Sequence, residues 1–388
     1  MVPMGSTRSF RVAGMFAGIG GIELGLSRAG HETTLLCEND PFARAVLEAR
    51  FPGVPVVGDI KELKRLPKGT NMIAGGFPCQ DLSQAGDTKG IGGSRSGLVD
   101  EVFRLAESHD IPWLLLENVP FMLRLSKGAA MNHIVRRLEG LGYRWAYRVM
   151  DTRAFGLPQR RERVYLLASK VEDPAPILFH GNVEPDLETD HTGQACGFYW
   201  TEGVRGLGWA ISAVPTLKGG STVGIASPPA IWMPDGRIVT PDIRDAERLQ
   251  GFRSDWTKPA EGVGRKSFRW KLVGNAVSVP VARWIGDRLA MSGGTVKWDG
   301  HDGIVSGSWP TAAFESDGCA FAVDISKWPV HRKQANLSDF LRYEPKELSL
   351  RATTGFSKRL ASGTLRAPEA FRLALKHHIE RMGANVTH

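Results

Sequence analysis

The sequence predicts an α/β chain with a doubly wound, mostly parallel sheet, a smaller irregular or β-rich region and an added C-terminal stretch. Three observations carry this. Strand-like and helix-like segments alternate through the first 170 residues, the pattern of βαβ units. Residues 113–116, Trp-Leu-Leu-Leu, are wholly apolar, as a strand covered on both faces of a parallel sheet must be. A glycine-rich turn, Phe16-Ala17-Gly18-Ile19-Gly20-Gly21, separates the first strand-like run from the first helical one, where an open α/β sheet receives its ligand.

Residues 10–15 form the first strand, 21–29 open a helix, and 33–37 form the next strand. Pro41–Arg50 is helical, with Phe42, Val46 and Leu47 spaced for one face. Val56–Val57 leads to Gly58-Asp59, and the apolar run 72–74 ends in Gly75-Gly76. Helical spacing returns at 131–141, and 163–168 is the last strong strand. Past Lys170, residues 171–240 carry many Pro and Gly with scattered Trp and Phe. Periodicity resumes at 242–251 and in Val279–Met291, a helix opened by Pro280. Ser292-Gly293-Gly294 is the clearest linker. The expected domains are therefore 1–170 with 270–292, a small domain of 171–269, and an extension of 295–388.

A length of 388 residues fits two or three domains at roughly 150 each. With 42% hydrophobic and 23% charged residues the chain has material for a sizeable core, which excludes disorder as its dominant state. No uncharged apolar run approaches the roughly 18–20 residues of a membrane span. Arg8 and Arg11 before residues 12–22 imitate a signal peptide, but four glycines interrupt the stretch and Glu23 follows at once. The expectation is a strand running into a turn, in a protein that is not secreted. The net charge of +8 is compatible with a polyanionic partner or with a merely basic protein. Cys37, Cys79, Cys196 and Cys319 lie far apart with no CxxC pair and no zinc-like spacing. Neither a disulfide scaffold nor a metal site is expected, and a reducing compartment fits.

Four motifs carry chemistry. In the glycine turn, φ > 0 and close backbone approach are available to a ligand, and Glu38, 20 residues beyond Gly18, sits where ribose hydroxyls bind. A nucleotide-like cofactor or a tight structural turn both use such glycines. Asp59 is placed to reach an adenine edge or to cap a turn. The second motif is Gly75-Gly76-Phe77-Pro78-Cys79-Gln80, directly after an apolar strand. A lone cysteine is usually a small buried hydrophobe, but here Cys79 stands at the sheet's carboxyl edge as a candidate nucleophile. The polar, glycine-rich residues 83–97, with Ser83, Lys89 and Arg95, suit a lid over phosphates or a surface connection. Third, Glu117-Asn118-Val119 follows the buried strand, where desolvation favours a carboxyl able to donate a proton. Fourth, Gln159-Arg160-Arg161-Glu162-Arg163 enters a buried strand, with arginines to grip a phosphate or polarise a carbonyl, or simply to edge the strand.

In this order, joined by Arg244 to Phe252 (Arg-x-x-x-Arg-Leu-Gln-Gly-Phe) and by Gly274-Asn275-Ala276-Val277, the motifs resemble those of the DNA (cytosine-5) methyltransferases of bacterial modification systems. The likeness spans residues 12–290. Pro215-Thr216-Leu217-Lys218-Gly219-Gly220 is similar to the family's penultimate motif, whose arginine corresponds to Arg205. The resemblance implies a Rossmann-like fold that binds S-adenosylmethionine, with no metal. It implies that Cys79 attacks carbon-6 of a flipped-out cytosine, that Glu117 holds the nitrogen-3 edge and supplies a proton, that Arg163 stabilises the base carbonyl, and that Arg161 supports Cys79 and Glu117. Phe16, Ala17, Gly18, Gly20, Glu38, Asp59, Ile60, Pro78, Asn275 and Val277 would form the cofactor pocket. Gln80, Ser83, Arg95, Arg205 and Lys218 would contact DNA. The partner implied is duplex DNA with one short target sequence, met by a monomer in the bacterial cytoplasm at the nucleoid, with a cognate restriction endonuclease acting separately.

The interval from Val171 to Gly203, where this family places its target-recognition segment, is too short for a large recognition domain. The 295–388 tail is an addition, and its eight Lys or Arg against three Glu between Lys346 and Arg381 suggest that it shares in gripping DNA; a stabilising appendage is the plainer alternative. Two other readings are weaker. A nicotinamide-dependent oxidoreductase leaves Pro78-Cys79 and Glu117-Asn118 unemployed, and a silent DNA-binding relative has no need to keep Cys79, Glu117 and Arg163. An RNA cytosine methyltransferase differs only in substrate.

Overall fold

The computed structural model describes residues 8–78, 97–204, 206–220, 226–291 and 302–384. They fall into two compact units. The first comprises Met1–Ala154, Glu162–Glu184 and Val277–His331, as far as these are described. Its chain runs β1 (Arg11–Met15), α1 (Gly21–Arg28), β2 (Glu32–Cys37), α2 (Pro41–Arg50), β3 (Val56–Val57) and β4 (Met72–Gly76). Next come α3 (Leu98–Ser108), β5 (Trp113–Asn118), α4 (Ala129–Gly140), β6 (Arg144–Asp151) and β7 (Glu162–Ser169). After residues belonging to the second unit, the chain returns as α5 (Val279–Met291), β8 (Gly303–Ile304), β9 (Ala312–Ser316) and β10 (Cys319–Ala322).

These strands make one ten-stranded sheet in the order β8-β10-β9-β6-β7-β5-β4-β1-β2-β3. The half β5-β4-β1-β2-β3 is parallel, and pairing from β5 outward to β8 is antiparallel. The chain winds from β1 through β2 to β3, then returns to place β4 and β5 on the other side. The point where the winding reverses, between the carboxyl ends of β1 and β4, is where open α/β sheets bind ligands. Both the glycine turn and the Gly75-to-Pro78 segment emerge there.

Local chemistry explains the elements. Asp40 caps α2 by accepting from the amides of Phe42 and Ala43, with Pro41 in the first turn. β5 is buried along its whole length and runs two residues past the apolar 113–116, so Glu117 and Asn118 are strand residues rather than loop. Val102, Phe103, Leu114, Ile134 and Leu166 meet in one core cluster, each at most 2% exposed. α1 packs closely on α5 because Gly25 has no side chain; a Cβ there would lie 2.5 Å from that of Ala282. α3 and β6 are not among the elements expected from the sequence. Arg148 interrupts the apolar pattern of β6, yet it is fully buried. It donates to the carbonyls of Ser326, Leu178 and Gly181, and burial lowers its pKa to about 9.

The second unit comprises Phe155–Arg161, Pro185–Ala276 and Arg332–His388, as far as these are described. Its antiparallel sheet contains Cys196–Phe198, Ala210–Ile211, Ala230–Trp232, Ile238–Thr240 and Lys346–Glu347. The helices Leu350–Ser362 and Glu369–Ala384 deliver Phe356 and Phe371, both fully buried, to Phe198, with ring centroids 5.0 and 4.9 Å from it. The unit boundaries thus differ from those read from sequence texture. Residues 303–322 hydrogen-bond into the large sheet, while Lys346–Glu347 pairs with Ile238–Thr240, so the stretch after 295 is shared out rather than standing as a third body.

Candidate active site

The turn after β1 has the backbone that glycine permits. Phe16, Gly18 and Gly20 take φ of 52°, 56° and 81°, and Gly20 is the N-cap of α1. Among the described residues, none would come within 4 Å of a Cβ on Gly18, which leaves its outer face open to a ligand. Ala17 donates to the Cys37 carbonyl. The carboxylate of Glu38 accepts from the amides of Gly18 and Asp40, each at 2.8 Å, which locks the turn onto the end of β2. Burial pushes the pKa of Glu38 up, and those amides pull it back. Asp59 caps its own turn by accepting from the Lys61 amide. Beside it Ile60 is 3% exposed, while its carbonyl accepts from Arg104. The Val277 carbonyl lies 2.4 Å from where a Gly21 Cβ would stand, bringing Val277 to the start of α1. Phe16, Ala17, Gly18, Gly20, Glu38, Asp59, Ile60 and Val277 therefore belong to the sheet edge around β1–β3, and exposed Pro78 closes the segment after β4.

The Glu117 carboxylate sits one strand away. Gly76 pairs with Glu117 across β4 and β5, and a Cβ on Gly76 would lie 2.7 Å from Glu117 Oε2. The missing side chain of Gly76 makes the space that the carboxylate fills. Arg163, from β7 on the other side of β5, places its Nε 3.0 Å from Glu117 Oε1, with both side chains largely buried. Asn118 donates to the Phe77 carbonyl at 3.0 Å, fixing the chain two residues before Cys79. Phe77, Met122, Ile134, Val164 and Leu166 give this carboxylate and amide an apolar wall, a setting in which charge interactions strengthen.

In the second unit, Arg161 is 1% exposed, and its guanidinium donates to the carbonyls of Leu217, Gly274 and Ala276. Gln159 is fully buried, accepts from the Leu217 amide and donates to the Leu249 carbonyl. Asn275 ends the helix Phe268–Asn275, with its Oδ1 2.6 Å from a Cβ on Gly219. The two last sequence motifs are thus stitched together by Gln159 and Arg161. Lys218 is paired with Glu202 and lies 3.7 Å from the Tyr199 ring, so contact with DNA would compete with these partners.

Cys79, Gln80, Ser83, Arg95 and Arg205 lie outside the described residues. Burial pushes the thiols of Cys37 and Cys196 up to about 12 and about 11, which leaves both poor nucleophiles. Among the described residues, no cluster of three His, Cys, Asp or Glu is arranged to hold a metal, and no helix is long and apolar enough to cross a membrane. Gly76 and Asn118 have no role among the expectations from sequence. The Gly75-Gly76 pair was the one available signal for the first, since a glycine doublet at a strand end marks close approach.

Comparison with known proteins points one way. Residues 10–194 match the family model of C-5 cytosine-specific DNA methylase. The chain is 51% identical over 368 residues to Type II methyltransferase M2.BsuMI of Bacillus subtilis (strain 168), covering 91% of this chain and 94% of that one. It is 30% identical over 312 residues to Type II methyltransferase M.NlaX of Neisseria lactamica, covering 72% and 96%. Among solved structures, the S. pombe Dnmt2 methyltransferase superposes with a TM-score of 0.53 over 73% of this chain and 98% of that one, at 17% identity. This is a likeness of fold.

Proposed function

Because the chain belongs to the family of C-5 cytosine-specific DNA methylases, we propose that its own residues divide the reaction as follows. Cys79 is the nucleophile. Its thiolate forms a bond to carbon-6 of a cytosine turned out of the duplex, and the electron pair displaced from the ring double bond makes carbon-5 nucleophilic. Glu117 grips the nitrogen-3 edge and supplies the proton that neutralises the ring, and Arg163 donates to the base carbonyl while fixing the Glu117 carboxylate. After methyl transfer, loss of the carbon-5 proton returns the electron pair and breaks the Cys79–carbon-6 bond. Asn118 positions these groups through the Phe77 carbonyl, and Arg161 clamps the segments of Leu217 and Ala276 within its own unit.

The glycine turn fits S-adenosylmethionine: it has an open face at Gly18, a half-buried acceptor in Glu38 for a ribose diol, and Asp59 and Ile60 beside it for the adenine. When bound, that cofactor supplies the methyl group. Phe16, Ala17, Gly20, Pro78 and Val277 complete its pocket. Gln80, Ser83, Arg95, Arg205 and Lys218, together with exposed cations of the helices Leu350–Ser362 and Glu369–Ala384, hold duplex DNA. Residues 1–170 with 270–292 would serve catalysis and cofactor binding, 171–269 target recognition, and the tail DNA contact. The enzyme would act as a monomer in the cytoplasm, with a restriction endonuclease working separately on the same short sequence.

The observation that carries this reading is the largely buried Glu117–Arg163 pair at 3.0 Å, one strand from the segment that Asn118 holds ahead of Cys79. The test is transfer of labelled methyl groups from S-adenosylmethionine to mixed-sequence duplex DNA, with modified positions mapped by conversion-resistant sequencing. Carbon-5 methylation within one short motif, lost in Cys79→Ser and reduced at least about 100-fold in Glu117→Gln, is the expected result. Undiminished transfer by Cys79→Ser would refute the assignment.

A further inference from the structure

Glu23 has no part in the roles assigned above, yet it is 1% exposed in the first turn of α1. Neither carboxyl oxygen has a hydrogen-bond partner on another residue among those described. It does not close the turn, because the Gly20 amide at the N-cap already donates to Ala17. Instead the carboxyl presses on β1: Oε1 would lie 2.2 Å from a Cβ on Gly14, and only glycine there leaves it room. Glu23 is thus enclosed between β1 and the first turn of α1, directly after the glycine turn.

The elements packed around it bring few charges. Among the described residues, the charge acting on it is that of Glu38, at the end of β2. β2 also brings Glu32 and Cys37, β1 brings Arg11, α1 itself Arg28, α5 brings Arg283, Asp287 and Arg288, and β4 brings no titratable group. An ionised carboxyl in this position is expensive unless something positive comes near it. Burial first, then Glu38, push its pKa up to about 8, with its own backbone amide pulling the other way.

The ligand proposed for the glycine turn is such a cation. S-adenosylmethionine carries a sulfonium charge that its demethylated product, S-adenosylhomocysteine, lacks. We propose that Glu23 is the buried counter-charge of the cofactor site: it gives up its proton to solvent when the cationic methyl donor binds, and so makes the site favour donor over product. Glu23 acts across the turn and is a positioning residue, not a catalytic one. The inference rests on the cofactor reading above.

Calorimetry of the full chain, in buffers of different ionisation enthalpy, counts protons released on binding. At pH 7 the donor should release more protons than the product. Its affinity should rise with pH, by up to about tenfold per pH unit for one linked proton, and level off above about 8. In Glu23→Gln, an isostere of the protonated form, the donor–product difference in proton count should vanish and the two affinity profiles should run parallel. The comparison of the two ligands in the unaltered protein stands even if that variant folds poorly. Equal proton release by donor and product, unchanged in Glu23→Gln, overturns this inference alone. Failure to bind either ligand overturns the cofactor reading and this inference with it.

Discussion

Adjacent glycines at the end of β4 should fail in opposite ways when each is given a methyl group. In Gly76→Ala the new Cβ stands 2.7 Å from Glu117 Oε2, and ordinary contact begins at about 3.4 Å, so the carboxylate must retreat by about 0.7 Å. It cannot retreat freely, because Oε1 is held 3.0 Å from Arg163 Nε and the side chain is 10% exposed. Displacement of a reacting group by about 1 Å costs on the order of 100-fold, so the single-turnover rate should fall about 10- to 100-fold. Stability should fall by only about 1–2 kcal/mol, since a side-chain end is what yields. In Gly75→Ala the Cβ meets the Met15 carbonyl oxygen at 2.3 Å. That atom is backbone in the neighbouring strand, so β1 and β4 must part, at about 3 kcal/mol or more. Thermal melting by circular dichroism and rapid-quench methyl transfer to duplex DNA measure the two effects. A Gly76→Ala enzyme with an unchanged rate, or a Gly75→Ala protein that melts with the parent, would refute the packing argument.

Arg163→Lys keeps the charge but loses the guanidinium geometry, and should slow single-turnover transfer by roughly 100- to 1,000-fold; a rate within threefold of the parent contradicts the role given to Arg163. A carboxyl whose folded pKa is raised stabilises the fold below its unfolded pKa, and that stability is lost as pH rises through the folded value. Glu23→Gln should therefore melt like the parent at pH 5 but several degrees higher at pH 8.5 without ligand, and equal melting at both pH values would count against it. Phe371→Ala empties a fully buried position and should cost about 3–5 kcal/mol in denaturant unfolding; a loss under 1 kcal/mol would show that the tail helices are not part of that core. Replacing the exposed Arg351, Lys358, Arg366, Arg372 and Lys376 by glutamine should flatten the dependence of DNA affinity on salt, by about 0.9 in slope per phosphate contact removed. An unchanged slope would confine the tail to stabilising its unit.

The parallel half of the large sheet was legible because its strands are short apolar runs closed by glycines or acids at their carboxyl ends. That grammar also located the glycine turn, Glu38 and Glu117 before any geometry was known. β6 escaped because Arg148, satisfied by carbonyls from residues 178–181 and 326, breaks the apolar pattern with a long-range partner that no local window contains. The division of the tail was hidden for a similar reason: which sheet receives residues 312–316 or Lys346–Glu347 is decided by pairing across more than 100 residues. Gly76 and Glu23 owe their interest to what occupies a neighbour's missing side chain, a property of packing rather than of sequence. Arg161 showed in sequence only as one of three arginines, and its carbonyl clamp became visible with Leu217, Gly274 and Ala276 around it.

The central claim is that Cys79 bonds to cytosine, and it can be caught directly. In duplex DNA carrying 5-fluorocytosine in place of cytosine, the fluorine cannot leave carbon-5 as a proton does, so an enzyme that has attacked carbon-6 and transferred its methyl group stays attached. Incubation with S-adenosylmethionine should give a denaturant-resistant complex whose digested peptide carries the modified base on Cys79, and Cys79→Ser should give none. An adduct on another residue, or methylation of ordinary DNA by Cys79→Ser at the parent rate, would contradict the account.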